Sequence, residues 1–308
     1  MSAVVGAWDR FWFAPFHPLP AALFRISVGA LLFFMYVALH PNWEVYYASN
    51  GILSLGDPAP GGPWREGWSV FRVTDGVLPI RLWYWLGLAA SVTFTIGWWT
   101  RTSAVVLWIL QCSLVHRSPA VVNGEDLVVR MLLFYSCFAP LGAALSVDAA
   151  RRPPARTPQI WAIRLIQINL CLVYVFTQSH KLFGDVVWRN GDAMYYTMVS
   201  RIWSRWPWPA LYYDGVVSML STYASLLVEI GFPIVVWFNG VRVWAVLAIA
   251  GLHLVIALAL SNVGFFSLSM VCSFWAFLTT DDLRRLRLQP GMWTSSSLIP
   301  SGSAKKTA

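Results

Sequence analysis

One lysine stands apart from the other cations of this chain. Of 22 basic residues only three are lysines: Lys181, and Lys305 and Lys306 beside the end. Everywhere else the sequence uses Arg, which keeps its proton, whereas a desolvated Lys can release it. Lys181 closes a run in which Arg164, Gln167, Cys171, Tyr174 and Gln178 follow at steps of three and four. That spacing lays all six on one helical face. The chemistry on offer is proton transfer, with Lys181 as general base and Tyr174, Gln178 and His180 in support. The structural alternative is that the stripe only hydrogen-bonds neighbouring helices and that Lys181 snorkels to the headgroups.

A second polar face runs through Ser218, Thr222, Ser225 and Glu229, and His253 lies on the following apolar stretch. At about 1.5 Å per residue, Glu229 and His253 reach similar depths from opposite directions and are expected to pair. Arg25 falls six residues into the first apolar run, where it snorkels or finds a buried partner. The turn Asn123-Gly124-Glu125-Asp126, with Arg130 just beyond it, brings two carboxylates to the start of a helix. It either caps that helix or builds an outer pocket with Lys181. Trp188 follows Lys181 on a tryptophan-rich loop. P-loop, Rossmann, GxSxG and HExxH patterns are missing. The cysteines Cys112, Cys137, Cys171 and Cys272 lie singly in apolar runs, so neither metal ligation nor disulfides are expected.

The elements that position these groups are membrane helices. The chain is 57% apolar and 12% charged, with a mean hydropathy of +0.58, too apolar for a soluble fold of 308 residues. The arginines are scattered between apolar runs instead of forming a basic stripe, which argues against nucleic acid as a partner. A crossing takes about 20 apolar residues. The sequence predicts an all-α integral membrane protein of about eight spans in one bundle: 19–39, 80–99, 103–115, 127–145, 160–179, 216–238, 243–260 and 263–279. The third is short, and the last two form a tight hairpin or a re-entrant pair. Residues 1–18 form an N-terminal segment without a cleavable signal, 19–280 the membrane domain, and 281–308 a basic, Ser/Gly/Lys-rich tail expected to be disordered. Two long loops, 41–79 and 184–215, are Trp-rich and suit the interface.

Arginine and lysine set the orientation. Arg10, Arg101, Arg151, Arg152, Arg156, Arg242, Arg284, Arg285, Arg287 and the two tail lysines fall on one side. Arg65, Arg72, Arg117, Arg189, Arg201 and Arg205 fall on the other, with Asp57, Glu66 and Asp75 among its acids. The first side, holding both termini, is expected to be cytoplasmic, in a bacterial inner membrane.

The order of these pieces resembles the horizontally transferred transmembrane (HTTM) family, whose best-known member is the vitamin K-dependent γ-glutamyl carboxylase. The resemblance rests on Leu23-Phe24-Arg25-Ile26 with Gly29, on Asn123, Gly124 and Asp126, and on Val147-Asp148. It continues through Tyr174, His180-Lys181-Leu182, Asp185, Trp188, Gly191 and Tyr195 to His253 and Phe265-Phe266-Ser267-Leu268. It implies that Lys181 deprotonates a reduced, vitamin K-like quinone in the bilayer, without a metal. Oxygen then takes the quinone to its epoxide, and the base so formed opens a glutamate of a secreted or membrane peptide to carboxylation. Where the carboxylase has a histidine after its asparagine, this chain has Gly124 and Glu125. The alternative within the resemblance is a non-enzymatic membrane protein that binds a lipid ligand or serves maturation or export of a secreted peptide.

Overall fold

The computed structural model describes residues 2–52, 68–74, 76–152, 157–207 and 214–286. The expected tail from residue 287 on, and Asp57, Arg65, Glu66, Asp75, Arg156, Arg287, Lys305 and Lys306 of the orientation argument, lie outside the described residues. The first residues of that tail are ordered, in a capped helix Thr280–Arg285 with Asp282 and Leu283 buried.

Among the described residues the structure is helical, without strands. A short helix, α1 (Ser2–Phe13), precedes α2 (Leu19–Leu39), α3 (Val77–Ile96) and α4 (Thr100–Arg117). Then come α5 (Gly124–Ser136), α6 (Trp161–Ser179), α7 (Gly215–Val235), α8 (Arg242–Ala259) and α9 (Gly264–Ser273). A helix thus forms at each expected span, and five of them (α2, α3, α6, α7 and α8) are by themselves long and apolar enough to cross a bilayer. The protein is an integral, multi-pass membrane protein.

Boundaries differ from the sequence reading by three residues or more at several spans, among them the third and the fourth. At the third expected span α4 runs 18 residues instead of 13: its N-terminus starts three residues earlier, capped from outside by Asp148 as described below, and its C-terminus continues to Arg117. The fourth stops at Ser136 instead of continuing to Leu145, since Pro140 has no N–H to extend it and the chain turns through a 3₁₀ segment at Leu141–Ala143.

The bundle has two halves joined by α9. In one, α2, α3, α4 and α5 pack in succession, and in the other α6, α7 and α8 do, while α9 touches α2, α5 and α8. In a membrane such packing depends on close approach more than on apolar burial. Glycines supply it between α2 and α3, where a Cβ at Gly29 would run into Thr95 and one at Gly87 into the Tyr36 ring. The described part of the 184–215 loop is a cap, not a free surface loop. Its helix Ala193–Val199 is tied to α7 through Ser218 and Thr222. Trp203 O accepts from Ser261 N at 2.8 Å, and Trp206 Nε1 donates to Leu258 O at 3.1 Å, closing the loop over the α8–α9 connection.

Candidate functional site

The polar stripe of α6 faces inward, as its spacing predicts. Gln167, Cys171, Tyr174 and Gln178 are buried. After Ser179 the helix widens into a π-type turn, His180–Gly184, a geometry that accommodates an extra residue and recurs at functional sites. The turn leaves His180 exposed and carries Lys181 toward α7.

Lys181 Nζ meets Glu229 Oε2 at 2.5 Å, with the side chains 19% and 9% exposed. Gln178 Nε2 donates to the same carboxylate oxygen. The Trp188 ring closes the other side, with Nζ 4.2 Å from its centroid, a cation–π contact that shields the ammonium from water. The carboxylate paired with Lys181 is therefore Glu229, not Glu125, Asp126 or Asp185. Asp185 instead caps the short helix Val186–Arg189 by accepting from Val187 N at 2.9 Å.

The expected Glu229–His253 hydrogen bond is not formed. Both side chains are buried in the bundle, but each has a different partner: Glu229 is taken by Lys181 and Gln178, and His253 Nε2 lies 2.7 Å from Tyr174 Oη. Matched depth put the two on a common level; helix rotation, which depth does not report, chose the partners. His253 Nδ1 and Gln178 Oε1 are buried without a hydrogen-bond partner among the described residues, an expense in a membrane interior unless a ligand or water supplies the missing half.

Beside this cluster a groove of about 390 Å³ runs between α6 and α7. Tyr174 and Gln178 stand on its polar side, and Leu172, Val175, Phe183 and Ile234 form its apolar wall. Those apolar residues are exposed, so the groove opens sideways toward lipid. Pro233 lies inside α7 and lines the groove. Lacking an N–H, it leaves the carbonyl of Glu229 without its usual helical donor. Sequence reasoning did not find this groove; Pro233, inside an otherwise continuous apolar span, is the signal that could have marked it.

The remaining expected site residues lie elsewhere. Asn123, Glu125 and Asp126 line a different cavity of about 430 Å³ with Tyr46, Tyr47 and Phe265. There Asp126 closes a capping box with Asn123 and accepts from Gln111 Nε2 at 2.9 Å. The turn is nevertheless one ring from His253: Phe266 lies against Gly124 on one side and His253 on the other. Arg130 is half-buried on α5, close enough to Cys112 of α4 to act on it electrostatically.

Arg25 is wholly buried at the far end of α2 from the 184–215 cap. Its guanidinium donates to the carbonyls of Leu141 (2.7 Å), Ala144 (3.1 Å), Leu145 (2.5 Å) and Thr95 (3.4 Å). Gly97, at φ +72°, leaves room for it: a Cβ there would sit 2.8 Å from Arg25 Nη1. Next to it Asp148 accepts from Trp99 N (2.9 Å), Thr100 N (2.8 Å) and Thr100 Oγ1 (2.7 Å), capping α4. Burial raises the Asp148 pKa, but these donors and the Arg25 charge outweigh it and hold the carboxyl below its ordinary range.

A family model described as the HTTM domain matches residues 71–281. No curated protein and no solved structure matches the chain.

Proposed function

The chain belongs to the HTTM-domain family, and on that premise we propose that it is a carboxylase-like membrane enzyme in which Lys181 deprotonates a lipid quinol entering from the α6–α7 groove. The observation that carries the reading is the half-shielded Lys181–Glu229 pair, joined through the Gln178 hydrogen bond to the wall of an apolar groove that the pair itself does not line. A quinol fits that geometry: its apolar tail matches the wall, and Gln178 Oε1 is an unmatched buried acceptor for its hydroxyl. When bound, the quinol supplies the electrons that reduce oxygen.

The residues have separate tasks. Glu229 takes a proton from the Lys181 ammonium, and both become neutral, a favourable exchange where the dielectric is low. The free amine then accepts the quinol hydroxyl proton. Gln178 orients Glu229, and Trp188 keeps water from the amine. Coupling to carboxylation of a secreted or membrane peptide is the further step implied by the family resemblance. We place both termini in the cytoplasm of a bacterial cell, so this site lies toward the outer leaflet. Cysteines introduced into the loop at 186–207 should be labelled from outside, and cysteines in the tail should not.

A second reading, a non-enzymatic family member that binds a lipid in the same groove, is favoured by one observation: Lys181 already has a carboxylate partner, as a purely structural lysine would. Purified protein given reduced quinone and oxygen separates the two. The enzyme reading expects quinone epoxide and its loss in Lys181→Arg. No epoxide from the parent protein, with quinone still bound, would leave the binding reading standing.

A further inference from the structure

A cavity of about 300 Å³ lies where α2, α6 and α8 begin, with Trp237 between it and the α6–α7 groove. His17, Arg164, Gln167, Arg242, Thr279 and Thr280 are its polar lining, and the rest of its wall is apolar, with Trp237 the largest side chain.

The two arginines are not equivalent. Arg242 is committed: Nη1 pairs with Asp282 Oδ2 at 3.2 Å, Nη2 bonds Asn239 Oδ1 at 2.5 Å and Nε bonds Val236 O at 3.1 Å. Arg164 has no carboxylate partner among the described residues. Its Nε donates to Phe11 O at 3.2 Å and its Nη1 to Gln167 Oε1 at 2.8 Å. Its guanidinium carbon stands 4.7 Å from the Phe11 ring centroid and 5.7 Å from that of Trp237. Nη2 has no hydrogen bond among the described residues. Two guanidinium groups thus face one carboxylate, and a positive charge at the edge of the bilayer is left uncompensated. His17 does not add to it. Burial, and then the Arg284 charge, lower its pKa, and its Nδ1 accepts from Leu19 N at 3.3 Å.

We infer that this cavity binds an anionic phosphate ester, with Arg164 as its open donor. A guanidinium held flat by rings on its face presents its edge in the geometry that phosphate oxygens match. Enclosure strengthens that contact relative to water. The apolar remainder of the wall suits the glycerol and first methylenes of a lipid, and basic pockets between membrane helices hold anionic headgroups. A soluble phosphate shares the headgroup chemistry, and the experiment separates the sources.

The test uses the full chain in a neutral detergent and reads the thermal midpoint with added short-chain phosphatidylglycerol, zwitterionic phosphatidylcholine of the same chains, or inorganic phosphate. Phosphatidylglycerol should raise the midpoint saturably and phosphatidylcholine should not. A matching rise with inorganic phosphate would assign a soluble ligand to the same site. Arg164→Gln should weaken the apparent affinity about tenfold or more, the size expected for hydrogen bonds to a charged group. Because Arg164 also ties α1 to α6, Thr280→Asp is the second variant: it puts a carboxylate into the cavity at the first turn of the helix Thr280–Arg285, where negative charge is tolerated. It too should abolish the rise. If neither phosphate probe exceeds phosphatidylcholine, or if Thr280→Asp keeps the full rise, the inference is overturned.

Discussion

Two cations near opposite ends of the bundle, the buried Arg25 and the partly buried Lys181, are treated differently. Arg25 is 0% exposed, and its donors go to carbonyl oxygens of two different segments, the end of α3 and the 141–145 turn. Such a cation is fully answered and has nothing left to offer a ligand. Lys181 has one carboxylate and one aromatic face, and two orphaned polar atoms, Gln178 Oε1 and His253 Nδ1, lie in its neighbourhood. The choice of residue follows the same division. The group that pins carbonyls is Arg, which keeps its charge, and the group proposed to exchange a proton is Lys, which can release it. A saturated shell marks a staple, and the unsaturated one beside a groove is where the proposed site lies.

The largest effect expected from breaking this contrast is at Lys181. Lys181→Arg keeps the charge and a carboxylate partner but cannot act as a base. Quinol oxidation should fall by roughly 10²–10⁴-fold, the usual contribution of a positioned general base, with folding and insertion nearly unchanged. The check is epoxide formation measured beside the thermal midpoint. Full activity in Lys181→Arg would remove the base assignment.

Arg25→Met should show the opposite profile. It leaves several buried carbonyls without donors and should cost about 3–5 kcal/mol of stability, the range for stripping one side from a buried charged network. Turnover per folded molecule should hold. Denaturation in mild detergent measures the first and epoxide formation per folded protein the second. A loss under 1 kcal/mol would mean that water replaces the guanidinium, and that Arg25 is not a staple.

Much of this division was legible in the sequence, because helical periodicity reports which face of a helix turns inward. The α6 stripe was read that way, and so was the polar face of α7. The rarity of lysine singled out Lys181 before any geometry was known. What periodicity does not encode is how one helix is rotated against another. The π-type turn at His180–Gly184 is also not announced, since nothing in the spacing of apolar residues marks an extra residue in a turn. Asp185 and the Asn123–Asp126 turn are not partners of Lys181, because their carboxylates serve local caps. Arg25 was seen as an intruder in an apolar run, but its carbonyl acceptors lie 70 and 116–120 residues away.

A smaller effect sharpens the Arg25 side. Asp148 is held ionised by the donors at the α4 N-terminus and by the Arg25 charge, so its folded pKa is depressed. A depressed carboxylate stabilises the fold above its unfolded pKa of about 3.9, and that stability is lost as pH falls through the lower folded value. Asp148→Asn should cost roughly 1–2 kcal/mol at neutral pH, as for loss of a helix cap. It should also flatten the acid limb of the stability curve below about pH 4. An acid limb identical in parent and variant would place that titration on another group.

The smallest expected effect separates the two parts of the Lys181 region. Tyr174 and His253 share a hydrogen bond of 2.7 Å, and His253 Nδ1 has no partner. Neutral imidazole carries one proton, so one of two arrangements holds. If the Tyr174 hydroxyl donates to Nε2, the proton sits on Nδ1 and its N–H is unmet. If Nε2–H donates to the hydroxyl oxygen, Nδ1 is a bare lone pair and the tyrosine proton needs another acceptor. Either way the pair is only partly satisfied, so removing it should cost less than breaking a complete buried network. Tyr174→Phe should therefore lower stability by about 0.5–1.5 kcal/mol. It should leave turnover within a few-fold of the parent, because the proposed proton moves between the quinol, Lys181 and Glu229. Tyr174 also lines the α6–α7 groove, so a modest rise in the apparent KM for quinol is expected without a matching fall in kcat. If kcat instead fell as far in Tyr174→Phe as in Lys181→Arg, the Tyr174–His253 pair would belong to the proton path, and the site would extend from the groove across to α8.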